Sequence, residues 1–111
     1  TYVDDLVNGI KLLVDRIPNK KITENDNLSP VAPFRIVNIG NSNKIKLIDF
    51  IDAIEESLNK KAIRNYMPMQ KGDVNETWAD CSLLQKLTNY KPQNNYKDGI
   101  NNFVKWYRDY Y

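Results

Sequence analysis

The chain has 111 residues, 16 of them basic and 14 acidic, for a net charge of +2. Its basic residues form no run longer than Lys20-Lys21 or Lys60-Lys61, so it carries no electropositive footprint for nucleic acid and reads as a solvated, mixed-charge surface. Histidine is absent and Cys81 is the sole cysteine, which excludes an internal disulfide, a cysteine metal cluster and all histidine acid–base or metal chemistry. The length is that of one domain near the small end for independent stability. No apolar run approaches the roughly 20 residues that cross a bilayer, and no signal-peptide pattern is present. The expectation is therefore a cytoplasmic chain with no membrane and no nucleic-acid partner. Thr1 begins in mid-pattern, as a fragment or a proteolysed product would.

From Asp4 onward, Leu6, Ile10, Leu13, Val14 and Ile17 recur at helical spacing and predict one buried stripe. Asp4 or Asp5 is the expected N-cap, and Pro18 stops the helix just after Ile17. Gly9 lies on that side of the helix, where it implies close approach of another backbone. Residues 19–33 are polar, contain two prolines and lack either structural period, which marks a surface excursion.

Residues 34–39 are the best strand, with Phe34, Ile36, Val37 and Ile39 apolar and Gly40-Asn41 as the terminating turn. Asn38 sits at its C-terminal end and has two readings, a packing or turn-bonding side chain or a ligand contact. Leu47 to Leu58 is a helix expected to bury Leu47, Ile48, Ile51, Ile54 and Leu58 and to turn Asp52, Glu55 and Glu56 outward. Residues 62–66 suit a short strand. Asp80 is the expected cap of a short helix through Leu83, Leu84 and Leu87. Asn95, with Asp98 three residues on, resembles a capping box for a last helix that buries Ile100, Phe103, Val104 and Tyr107. Trp106, Tyr110 and Tyr111 fall on its flank, and the core is the default reading of this aromatic stripe. A strand followed by a helix, repeated, gives a helix-rich, mixed α/β fold class.

Residues 67–80 follow neither period. They read Met-Pro-Met-Gln-Lys-Gly-Asp-Val-Asn-Glu-Thr-Trp-Ala-Asp, turn residues set among large apolar ones, which predicts a loop held against a body. The Gly72-Asp73 corner places a carboxylate beside a bend. Such a loop either grips a polyol or ties two elements together, and composition leaves both open. The four glycines are ungrouped, so there is no dinucleotide fingerprint, and no nucleophile-elbow, Cys-x-x-Cys or zinc-protease motif occurs.

Four pieces in order carry a family resemblance: Thr1-Tyr-Val-Asp-Asp-Leu-Val-x-Gly-Ile, Val37-Asn-Ile-Gly-Asn-Ser, Met67-Pro-Met-Gln-x-Gly-Asp-Val-x-Glu-Thr-x-Ala-Asp and Lys97-Asp-Gly-x-x-x-Phe-Val-x-Trp-Tyr. Together they resemble the C-terminal third of the extended short-chain dehydrogenase/reductase nucleotide-sugar epimerases, most of all the UDP-glucuronate 4-epimerase branch. The resemblance implies a substrate-binding portion, residues 1–111, with the Rossmann domain that holds NAD and the catalytic Tyr-x-x-x-Lys pair lying upstream. It implies no catalytic, cofactor-binding or metal residue in this chain. Gln70 and Asp73 are the implied substrate-binding residues, Gln70 approaching the nucleotide by its amide and Asp73 accepting from the ribose hydroxyls. NAD and a UDP-sugar belong to the parent enzyme, and the chain alone is expected to be inactive and prone to self-association. The related alternatives are a nucleotide-sugar dehydratase or decarboxylase, and outside enzymes a free-standing interaction module.

Overall fold

A computed structural model describes residues 1–72 and 78–111. The described residues form four helices and no strand: α1 (Val3–Val14), α2 (Leu47–Leu58), α3 (Ser82–Thr88) and α4 (Tyr96–Tyr110). The chain divides into two compact units, one of Thr1–Ser42 with Trp78–Asn94, the other of Asn43–Thr77 with Asn95–Tyr111.

In the first unit α1 packs against α3. Asp4 and Asp5 in its first turn and Lys11 in its last agree with the helix dipole. The expected cap is not made, because Tyr2 occupies the N-cap position without a side-chain bond. Asp5 instead turns inward and is 4% exposed. Its Oδ1 accepts from the Tyr90 hydroxyl at 2.6 Å and its Oδ2 from the Asn94 N–H at 3.0 Å. The helix also ends at Val14 instead of Ile17. The Arg16 N–H bonds the Leu13 carbonyl at 2.9 Å and closes a tighter final turn, while Pro18 disfavours helical geometry at Ile17.

The face of α1 that the unit buries is Asp5 and Gly9, not the expected stripe: Leu6, Ile10, Val14 and Ile17 are all exposed. Gly9 does admit a close neighbour, although that neighbour is a side chain and not a backbone. A Cβ there would stand 2.9 Å from Ile39 Cγ2. Leu84 of α3 is fully buried, and α3 begins one residue after its expected position, with Asp80 Oδ1 accepting from the Ser82 N–H at 2.9 Å.

The excursion at 19–33 is organised by one ion pair. Asp26 takes the Arg35 Nε at 2.9 Å and Nη2 at 2.9 Å in a bidentate fork, and also the N–H groups of Ile22 and Leu28 at 2.8 and 3.0 Å. Arg35 Nη2 reaches on to the Lys20 carbonyl at 2.7 Å. The Arg35 fork, with those backbone donors, holds the Asp26 carboxyl below its usual range.

Residues 34–39 alternate in exposure as strand side chains do, with Arg35, Val37 and Ile39 half-buried and Phe34, Ile36 and Asn38 exposed. No ladder forms among the described residues, so neither the expected α/β sheet nor the short strand expected at 62–66 is shown there. The physical reason at 34–39 is a substitution of partners. Asn27 takes the place of a neighbouring strand, its Nδ2 donating to the Ile36 carbonyl at 2.9 Å and its Oδ1 accepting from the Ile36 N–H at 3.1 Å.

In the second unit α2 packs against α4 around Ala53, Ile100 and Val104, with Ile54, Leu58 and Tyr96 at the edge. The bounds of α2 are those expected, and its end is a Schellman closure. Asn59 adopts φ 53, its N–H bonding Glu56 O at 3.2 Å while the Lys60 N–H bonds Glu55 O at 3.1 Å. Leu47 and Ile48 are exposed, because Ala53 and Glu55 are the residues this helix buries. Asn95 caps α4 as expected, accepting from the Lys97 N–H at 2.9 Å. Arg108 Nη2 donates to the Leu58 carbonyl at 3.0 Å and so neutralises the C-terminal end of α2.

The aromatic stripe of α4 is not core. Phe103, Trp106, Tyr107, Tyr110 and Tyr111 are all exposed and contact one another along the helix in stacked, tilted and edge-on pairs, with ring centroids from 4.9 to 6.3 Å apart. Their spacing matches a buried face because i, i+3 and i+4 positions also bring rings together on a surface.

Candidate functional site

The stretch singled out in the sequence, 67–80, connects the two units, and each of its ends is anchored in its own unit. The near end follows α2. Glu55 is 5% exposed, contrary to the outward orientation its helical position implies. Its Oε2 accepts from Lys61 Nζ at 2.7 Å, and its Oε1 accepts from the Ala62 N–H at 3.0 Å and Arg64 Nε at 3.2 Å. Arg64 Nη2 lies 2.8 Å from the same Oε1 and also donates to Asp52 Oδ1. Hydrogen bonds from Lys61, then Arg64 and the Ala62 N–H, pull the Glu55 carboxyl down to about 2, and Asp52 and Glu55 raise the Arg64 guanidinium above its ordinary value.

Beyond this anchor residues 65–72 are exposed. Met67, Met69, Gln70 and Trp78 are exposed. Gly72 has φ +98, and a Cβ there would meet nothing within 4 Å. That is the backbone bend the sequence requires at this corner, in the left-handed region that favours glycine. Asp73, the second implied substrate-binding residue, and Glu76 lie outside the described residues.

The far end is held in the first unit by neutral contacts. Ser42 Oγ donates to the Ala79 carbonyl at 3.0 Å, and Asn38 Nδ2 donates to the Asp80 carbonyl at 3.3 Å. This bond ties Asn38 to a carbonyl distant in sequence, which is a packing role and not a bond within the Gly40-Asn41 turn. Gly40 is buried, with space for a Cβ only 3.3 Å from Ala79 Cβ and 3.5 Å from Cys81 Sγ. Cys81 is buried and reduced, its thiol 3.6 Å from the Ala79 carbonyl.

No group of three or more acidic or cysteine side chains is placed to hold a metal ion among the described residues, and no described helix is long and apolar enough to cross a membrane. In the second unit an open depression of about 300 Å³ is lined by Ala53, Glu56, Ser57, Lys97 and Asn101. Lys97 Nζ and Glu56 Oε2 face each other there at 3.6 Å.

Sequence reasoning missed Glu55, Arg64, Asp26 and Arg35 as structural hubs. The available signals were Asn59, a residue tolerant of the left-handed turn that ends a helix, and the cations Lys61 and Arg64 just beyond it.

Along its whole length this chain is similar in sequence to parts of longer proteins. It is 44% identical over 115 aligned positions to Protein CapI of Staphylococcus aureus, matching all of this chain and 34% of that protein. It is 40% identical over 118 positions to a protein named probable UDP-glucuronate 4-epimerase in Rhizobium meliloti strain 1021, again covering all of this chain and 34% of the relative. With UDP-glucuronate 4-epimerase 4 of Arabidopsis thaliana the identity is 34% over 112 positions, all of this chain and 25% of the relative. The chain thus spans about a third to a quarter of the length of these curated relatives. No family model matches it.

Proposed function

We propose that this chain is the substrate-binding portion of an NAD-dependent UDP-sugar 4-epimerase that interconverts UDP-glucuronate and UDP-galacturonate through a 4-keto intermediate. The observation that carries the reading is similarity along the whole chain to relatives named UDP-glucuronate 4-epimerase. The ungrouped glycines and the lack of a strand among the described residues offer no cradle for a dinucleotide here, so the cofactor is assigned to the rest of the enzyme. When bound there, NAD supplies and recovers the hydride at sugar C4.

This chain's own residues bind and orient. Asp73 accepts hydrogen bonds from the ribose hydroxyls, as a carboxylate does beside a diol, and Gln70 meets the nucleotide through its amide. The bend at Gly72 and the solvent-facing Gln70 support that assignment. In the whole enzyme the upstream Rossmann domain covers the exposed apolar side of α1, and residues 34–39 join a mixed α/β sheet. The exposed Phe34, Ile36, Leu6 and Ile10 support this. A cytoplasmic setting, inactivity of the isolated chain and its tendency to self-associate follow from the same reading.

The test is Asp73→Ala in the full-length enzyme, titrated calorimetrically with UDP. Loss of a charge-assisted bond of about 1.5 to 3 kcal/mol should weaken UDP roughly 10- to 150-fold while NAD stays in place. Unchanged UDP affinity with a lowered melting temperature would make Asp73 part of the scaffold and overturn the assignment.

A further inference from the structure

Every acceptor that Glu55 owns is turned toward the segment following its helix. The backbone oxygen takes the Lys60 N–H, one carboxylate oxygen takes Lys61 Nζ, and the other takes both the Ala62 N–H and Arg64. One residue therefore fixes positions 60, 61, 62 and 64, and Arg64 is in turn bonded to Asp52. A carboxylate this buried needs partners to offset its desolvation. Helix termination alone does not need these partners, since the Asn59 closure already satisfies the last carbonyls of α2. The excess bonding is spent on the chain beyond the helix, on the arm that leads to Gln70 and the Gly72 bend.

We propose that Glu55, acting through Arg64 and the Ala62 backbone, is a positioning residue for the nucleotide-binding arm and sets where Gln70 stands when a UDP-sugar binds; this rests on the reading of the loop given above. A side chain on a loop meets its ligand reproducibly only if the root of the loop is rigid, and small displacements at a distance lower affinity steeply. The rival role is purely structural, in which Glu55 finishes a helix and the arm finds its own place.

The experiment measures kcat and KM for UDP-glucuronate in the full-length enzyme with Glu55→Gln, Arg64→Ala, Gln70→Ala and the double variant Glu55→Gln/Gln70→Ala. Glu55→Gln keeps a carbonyl oxygen for the Ala62 N–H, and Arg64→Ala removes the clasp from the exposed side, so the test does not depend on one variant folding. The expected result is a KM raised about 5- to 20-fold by Glu55→Gln and by Arg64→Ala, with kcat within about twofold of wild type. In the double variant the increase should fall well short of the product of the single ones, because both act on one contact. Wild-type KM for Glu55→Gln and Arg64→Ala with a lowered melting temperature, or increases that multiply in the double variant, would overturn the positioning role. If Gln70→Ala itself leaves KM unchanged, the loop reading falls and the positioning role falls with it. If Gln70→Ala raises KM while the Glu55 and Arg64 variants do not, only the positioning role falls.

Discussion

The two ends of the 67–80 stretch are fastened by different physics. At the near end a single buried carboxylate gathers an ammonium, a guanidinium and a backbone N–H. At the far end Ser42 and Asn38 bond backbone carbonyls and Gly40 lets three small residues close up. The first anchor depends on charge and so on pH, whereas the second depends on volume. Lys61 is mostly solvent-exposed although its partner is not, so its share of the near anchor is open to screening by salt. The bonds that Ser42 and Asn38 make at the far anchor join neutral groups.

The sharpest way to break this contrast is to add volume at the far end. Gly40→Leu forces carbon atoms into a space where even a Cβ meets Ala79 at 3.3 Å, and overpacking of this kind should destabilise the fold by about 3 kcal/mol. Denaturant melting at neutral pH checks it, and a loss independent of pH and salt is expected.

The second test works on charge. The Glu55 carboxyl is held at about 2 against an ordinary 4.5, so its folded form is the stronger acid. Its stabilisation is therefore fully present above about 4.5 and is lost as pH falls from there through about 2. Melting curves of wild type and Glu55→Gln across that window should differ most at the upper end and converge at the lower. A difference that stays constant with pH would contradict the charge-based anchor. Asp5, Asp26 and Asp80 are also lowered, and comparing the pair of proteins cancels their contribution.

The smallest effect is expected from Asn38→Ala, which removes one exposed bond of 3.3 Å to Asp80. About 0.5 kcal/mol is the expected cost, and a loss of several kcal/mol would show that the far anchor is not chiefly a matter of packing.

The contrast also separates what the sequence discloses from what it hides. The span of α2 and the Asn95 cap of α4 were legible, because helical period and capping chemistry act within a few residues. The bend at Gly72 was legible for the same reason. Asp5, Asp26 and Glu55 were not. A carboxylate on a helix or loop reads as solvated until its distant partners are known, and those partners are Tyr90 and Asn94, Arg35, and Arg64.

Residues 34–39 have strand composition and strand alternation, yet a ladder needs a second strand, and here Asn27 supplies the bonds. The α4 aromatics show the limit of periodicity, which reports that side chains share a face without saying what covers it. The assignment of Asp73 to the ribose rests on family resemblance alone, since a carboxylate beside a glycine bend serves a turn as readily as a ribose.

The central claim concerns the reaction of the protein that carries this chain, and product analysis tests it most directly. Full-length protein incubated with UDP-glucuronate, followed by NMR of the sugar ring, should give UDP-galacturonate at equilibrium with its epimer and no loss of the carboxyl carbon. A decarboxylated pentose, a dehydrated 4-keto sugar, or no turnover of any UDP-sugar would contradict the account.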